Sequence, residues 1–385
     1  MNVLILADIE TAGEWIATQN MLEELKKRKQ SLNFYLLAYG KNTLHLQKQL
    51  FEKIILINKP PLIPLFRYYR QLLLEYVQNF KYIKVFKNRI DLIIITNYSF
   101  SIPAFLIFPF VKRVFWFHGI KELNNFNFYG RVKIILERFS WLFISIFLVP
   151  SEWAKDLVKK KLGLFSQLKN IKIIANIVPV IFQQKYSQPT LVNFKKKLYL
   201  PQDKKIILYS GRIDKIKGLE NLLTAFVLLH KKLDGIVLVF AYPDVYLDSL
   251  TLKNLQKTVK INRLENSVFF RKNLPVEELA KLYQSSYCAV LASIREMDSM
   301  FLLESLSSGL PVFSTLVGNA EILLAKIDTL FILKNNQALT IFQALAKFFK
   351  KDSSWYKNIK KKIENFVIEY LANNYSVSQF EKILG

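Results

Sequence analysis

Short apolar runs bounded by polar turns alternate along this chain with longer stretches in which apolar positions recur every three or four residues. The short runs predict strands buried on both faces, and the longer stretches predict amphipathic helices. Val3 to Ala7 reads as a first strand and Glu14 to Lys29 as the helix after it. Further strands are expected at Asn33 to Ala38, Lys53 to Ile57, Leu92 to Thr96, Val114 to Phe117 and Ile144 to Val149. A second series runs through Ile206 to Tyr209, Val237 to Phe240, Val268 to Phe270, Ala289 to Leu291 and Val312 to Ser314. Between Val180 and Pro201, QQKYSQP and a lysine-rich stretch interrupt the rhythm. Such alternation predicts an α/β protein with parallel, doubly wound sheets, and two series predict two Rossmann-like domains facing across a cleft. The expected division is 1–182 for the first, 183–355 for the second, and 356–385 for C-terminal helices packing back across both.

One run tests this parse. Leu92 to Val111 carries no charge and is long enough to cross a bilayer. Thr96, Asn97, Ser99, Ser101, Pro103 and Pro109 interrupt it, so a strand, a helix and the start of another strand are expected instead. MNVLILADIE lacks a basic leader and turns acidic at Asp8 and Glu10, unlike a signal peptide. A cytoplasmic protein is expected. The single cysteine, Cys288, excludes an internal disulfide and reads as a small core residue.

The chain has 385 residues, 51% of them hydrophobic, enough to bury two cores. Its formal net charge is +25, with the first half the more basic. Anionic lipid, anionic glycan and nucleic acid could each answer such a field. No zinc-finger spacing, basic-zipper register or RNA-binding aromatic signature is present, so no nucleic-acid partner is expected. The helix Glu14 to Lys29 ends in Lys26, Lys27, Arg28 and Lys29 and carries Trp15, Met21, Leu22 and Leu25. It is either a core helix with a solvated end or a peripheral contact with an anionic membrane.

The chemistry concentrates in ASIREMDSMFLLESLSSGLPVFSTLVGNAE, from Ala292 to Glu321. Glu296 and Glu304 stand eight positions apart across a loop entering a helix that begins near Ser299. The backbone N–H groups of Ser299, Met300, Phe301 and Leu302 and the positive dipole end would face a phosphate. Glu304, further in, could accept two hydrogen bonds from a ribose diol. Upstream, YSGRIDKIKGLENLLTAF (Tyr209 to Phe226) places Arg212 and Lys217 between Gly211 and Gly218, and two cations there could neutralise a departing diphosphate. There is no Asp-x-Asp, and hence no sign of a metal clamp.

These two segments resemble the Glu-x7-Glu signature and the Gly-Arg-x5-Gly diphosphate element of retaining glycosyltransferase family 4, a GT-B family of the glycosyl transferases group 1. SVFFRKNLPVEELAKLYQSSYCAVLAS (Ser267 to Ser293) is similar to the element that holds the base, and VPSEWAKDLVKKKLG (Val149 to Gly163) to the family's linker strand and helix. The resemblance implies donor contacts from Gly13, Gly211, Arg212, Lys217, Ser299, Met300, Phe301, Leu302 and Glu304, and catalytic roles for His118 and Glu296. It departs from the family where Met297, Asp298, Ser299 and Met300 replace paired glycines, and where Ala241 to Asp244 replaces a glycine loop. Asp298 could cap the helix and compete with phosphate.

The expected function is metal- and cofactor-independent, retaining transfer of a sugar from a nucleotide-sugar donor to a glycan or lipid-linked acceptor, in surface polysaccharide or glycoconjugate synthesis. A sugar-nucleotide epimerase or phosphorylase, or a non-catalytic glycan-binding or partner subunit, would share the same frame.

Overall fold

The computed structural model describes residues 1–9, 12–40, 46–59, 67–86, 90–117, 135, 139–244, 247–372 and 376–384. It divides into two compact units, Met1–Ile177 with Tyr375–Gly385, and Val178–Asn374.

In the first unit the apolar runs become β1 (Asn2–Asp8), β2 (Asn33–Tyr39), β3 (Phe51–Ile57), β4 (Leu92–Ile95), β5 (Lys112–Trp116), β6 (Ile146–Val149) and β7 (Asn170–Ile173). All neighbours pair in parallel, in the order β3-β2-β1-β4-β5-β6-β7. The central strands are fully buried, as their unbroken Val, Ile and Leu content requires of a sheet covered on both faces. β7 was not among the expected strands: its sequence, NIKI, has a lysine and partly exposed positions, the pattern of an edge.

The charge-free stretch 92–111 is divided as expected. Asn97 accepts a hydrogen bond from Ser99 N and starts a 3-10 turn, and the helix Ser101–Ile107 is only seven residues long. Among the described residues no helix is long and apolar enough to cross a membrane. The helix after β1 spans Ala12–Arg28, so Gly13 sits in its first turn rather than in a preceding turn. Trp15, Met21, Leu22 and Leu25 are buried in the first unit's core. The cations at its end are already engaged: Lys26 lies 3.5 Å from Glu52, Lys27 2.8 Å from Glu24, and Arg28 4.0 Å from Glu381. Its apolar face is thus core, and three of its four terminal cations lie beside carboxylates.

The second unit repeats the pattern with β8 (Lys205–Ser210), β9 (Ile236–Tyr242), β10 (Val268–Lys272), β11 (Cys288–Leu291), β12 (Val312–Thr315) and the two-residue β13 (Ile332–Leu333). The order β10-β9-β8-β11-β12-β13 is again parallel throughout. The chain passes from one unit to the other at 177/178, a few residues before the expected 182/183. The C-terminal region divides between them. Helix Ser353–Ala372 seats Ile359 and Ile363 in the second core, whereas Phe380 of helix Ser376–Leu384 packs 5.2 Å from Trp116 in the first.

Candidate active site

In the second sheet, β8 lies between β9 on one side and β11 on the other, so the crossovers from β8 to β9 and from β11 to β12 run in opposite directions along the sheet. Such a switch point leaves a crevice at the carboxyl ends of the strands, where doubly wound folds bind ligands. Arg212 and Lys217 leave β8 there, and Glu296 leaves β11.

The path after β8 is dictated by two glycines. Gly211 has φ +148, and a Cβ on it would come 3.0 Å from the Tyr209 hydroxyl. That hydroxyl donates to the Arg212 carbonyl at 2.7 Å and closes the turn. Asp214 caps the 3-10 turn Lys215–Lys217, accepting from Ile216 N at 3.1 Å. Gly218 then takes φ +65, and a Cβ there would stand 2.1 Å from the Ala292 carbonyl oxygen. Only glycine lets the β8 loop lie directly against the β11 loop.

The two loops are bonded as well as packed. Ile294 N donates to Ile216 O at 2.7 Å. Lys217 Nζ lies 2.6 Å from Glu296 Oε1, and each side chain is only 14% exposed. Ser293 Oγ donates to the same carboxylate oxygen at 2.7 Å, while Thr315 Oγ1 donates to the Ser293 carbonyl at 2.6 Å. On the far side, a Cβ on Gly318 (φ +52) would meet the Met297 carbonyl oxygen at 2.9 Å. The segment carrying Glu296 is therefore held between Gly218 and Gly318, at the ends of three adjacent strands, β8, β11 and β12. Lys217, assigned from sequence to the diphosphate, and Glu296, assigned a catalytic role, touch.

Helix Met300–Ser307 begins as expected, with Ser299 as its N-cap; the cap is Ser299 rather than Asp298. Ser299 Oγ accepts from Leu302 N at 3.3 Å, so that amide is already satisfied. The side chains of Phe301 and Leu302 are buried, Phe301 lying 5.6 Å from the Tyr209 ring and 5.9 Å from Tyr283, so only their backbone can reach a ligand. Glu304 Oε2 accepts a 2.6 Å hydrogen bond from the buried Tyr283 hydroxyl. Burial pushes the Glu304 carboxyl up to about 7, the Tyr283 bond opposing the rise.

Arg212 makes no ion pair among the described residues and is partly exposed beside the switch point. The loop Ala241–Asp244 is tied to its surroundings rather than open: Ala241 O accepts from Gly211 N at 3.0 Å, and Asp244 pairs with Lys272 at 2.8 Å. Gly13 lies beyond the carboxyl end of β1, the corresponding switch strand of the first sheet, flanked by β2 and β4. His118 lies outside the described residues. Sequence reasoning missed Tyr209, Tyr283, Ser293 and Thr315. Both tyrosines occupy regular apolar positions and read as core, and the serine and threonine acquire meaning only once β8, β11 and β12 are adjacent.

Two parallel α/β sheets of this topology define the GT-B fold. Solved structures agree over the whole chain. A glycosyltransferase from Rickettsia africae superposes with a TM-score of 0.78 at 17% identity, covering 100% of this chain and 97% of that one. HepE of Anabaena, solved in complex with UDP-glucose, superposes with 0.78 at 14%, covering 99% of each. Residues 192–366 match the family model for glycosyl transferases group 1, and the chain as a whole has the GT-B fold of the glycosyltransferases on which it superposes. Among curated relatives, N-acetyl-alpha-D-glucosaminyl L-malate synthase of Bacillus anthracis is 21% identical over 228 residues, 59% of this chain and 57% of that one. Alpha-monoglucosyldiacylglycerol synthase of Streptococcus pneumoniae is 28% identical over 171 residues, 43% of this chain and 36% of that one. The matched region thus spans about half or less of these relatives' own length.

Proposed function

We propose that the chain transfers a sugar from a nucleoside diphosphate sugar, with retention at the anomeric carbon, to a glycan or lipid-linked acceptor in surface polysaccharide or glycoconjugate synthesis in the cytoplasm. The observation that carries this reading is the convergence of Arg212, Lys217 and Glu296 at the β8/β11 switch point, with Glu304 on the helix that follows. The UDP-glucose complex of HepE, a protein of the same fold, supports a nucleotide-sugar donor.

In this reading Arg212 and Lys217 hold the diphosphate and neutralise the charge that grows on it as the glycosidic bond breaks. Glu304 accepts from the ribose hydroxyls. Glu296 faces the sugar, and the amides of Met300 and Phe301 at the helix start add positive potential at the phosphate. In this reading acceptor attack comes from the face the diphosphate leaves, with the leaving phosphate taking the acceptor's proton. The roles of His118 and Gly13 rest on the sequence resemblance alone.

A thermal-shift panel of UDP-, GDP- and ADP-sugars identifies the donor. Product NMR then reads the anomeric configuration. Retained configuration is expected. Inverted product would overturn the mechanism, and the absence of any nucleotide-dependent shift would overturn the function.

A further inference from the structure

We propose that the amino edge of the first unit's sheet, opposite its switch-point edge, docks on an anionic lipid membrane. This surface is distinct from the helix Ala12–Arg28, whose apolar side chains are core.

The central feature is an apolar tip held stiffly in water. Between helix Ser101–Ile107 and β5 the chain turns through Phe108–Val111, and Phe110 at its apex is 99% exposed. Leu106 beside it is 60% exposed. Arg113, itself buried, grips this turn from behind: Nη1 donates to the carbonyls of Phe108 at 2.7 Å and Val111 at 2.6 Å, and Nε donates to Phe143 O at 2.7 Å. The Phe143 bond ties the turn to the segment 139–144, where Phe139 and Leu142 are 49% and 45% exposed. Lys169 braces that segment, donating to the carbonyls of Leu142 and Ile144 at 3.0 Å each. Burial lowers its ammonium below the ordinary lysine value, and neighbouring Arg113 lowers it further. A fully exposed phenylalanine whose turn is fixed by a buried arginine is not a frayed end. Clustered exposed apolar side chains mark a surface built for contact.

The surroundings are basic. In a parallel βα arrangement each helix runs back toward the amino edge, so its last turn lies there. The last turns include Lys81 in helix Arg67–Ile83 and Lys159, Lys160 and Lys161 in helix Glu152–Leu162. β5 opens with Lys112. The helix dipole alone favours cations at these ends, but it does not account for Phe110. An apolar tip on a sheet edge that also carries lysines matches a bilayer face bearing anionic lipid, where each cation adds attraction and the aromatic tip enters the interface. A second copy of the chain would instead bring the same lysines against one another.

Co-sedimentation with vesicles tests the assignment. The protein should pellet with phosphatidylglycerol-containing vesicles, far less with pure phosphatidylcholine, and less again in high salt, because surface attraction is screened over about 8 Å at physiological ionic strength. Leu106→Ser with Phe110→Ser, and separately Lys159→Glu with Lys160→Glu, should each lower the partition coefficient at least tenfold while leaving the melting temperature near that of the parent. Because Cys288 is buried, Phe110→Cys can be labelled selectively with an environment-sensitive dye, whose emission should shift to the blue on anionic vesicles. Equal binding to neutral vesicles, or an unshifted dye, would overturn the proposal. So would a dimer in the ultracentrifuge that Phe110→Ser dissolves, without any vesicle binding.

Discussion

At the scale of single residues, the ion pair between Lys217 and Glu296 changes what each substitution should do. Glu296 engages the cation assigned to the diphosphate, so the two compete for one ammonium. Glu296→Gln should release Lys217 and tighten binding of bare nucleoside diphosphate, by about threefold to tenfold in calorimetry, worth roughly 0.7 to 1.4 kcal/mol. It should also lower kcat by about 10²-fold, as loss of a transition-state contact does. Unchanged turnover would contradict the role given to this carboxylate. Glu304 is set apart by its titration. Burial disfavours its ionised form, so its folded pKa of about 7 lies above the ordinary carboxylate range. The folded protein then holds a proton that the unfolded chain gives up, and stability falls as pH rises from the unfolded pKa, about 4.3, to about 7, staying level above it. A ribose diol donates to the ionised form. Nucleoside diphosphate affinity should therefore climb as pH rises through about 7, and Glu304→Gln should flatten that profile; calorimetry between pH 6 and 8 reads it. The two glutamates themselves are legible in sequence, being eight positions apart in one motif. The partnership of Lys217 with Glu296 is not, because the two stand 79 positions apart, with β9 and β10 between them, and those must fold before the loops meet.

Among elements, the strands read most clearly were those buried on both faces, where nothing but apolar residues is tolerated. β7, a partly exposed edge, and β13, two residues long, offered no such run. Tyr283 lies in helix Val276–Ser285 at a position that could equally be plain core, and only its bond to Glu304 shows otherwise. The packing of the β8 loop on the β11 loop makes a separate prediction. Gly218→Ala combines a left-handed backbone with a Cβ placed 2.1 Å from a carbonyl oxygen, so it should cost about 2–4 kcal/mol in urea unfolding. Gly235, with φ +76 and nothing within 4 Å of its Cβ position, is the control, and its alanine variant should lose only the backbone strain, about 1–2 kcal/mol. Equal losses at the two sites would mean that the loops do not depend on this contact.

For the whole molecule, charge and chemistry are connected. With Arg212, Lys217 and the helix start assigned to the leaving diphosphate, turnover should survive EDTA. Loss of most activity, restored by Mg²⁺ or Mn²⁺, would refute that assignment. The formal charge of +25 said only that an anionic partner was worth seeking. It did not say where, since the lysines of the first helix proved to be paired and the exposed apolar tip at Phe110 belongs to a run that reads as ordinary core. The clamp formed by Gly218 and Gly318 carries a last consequence, for how such a protein can change. It fixes the backbone that bears Glu296 yet leaves the Ile294 side chain 63% exposed, and Leu316, just after β12, is 49% exposed. Substitution there alters the surface without disturbing the fold. New preferences can therefore arise by drift at 294 and 316 while both glycines stay fixed, and a mutational library aimed at altered selectivity should vary those two positions first.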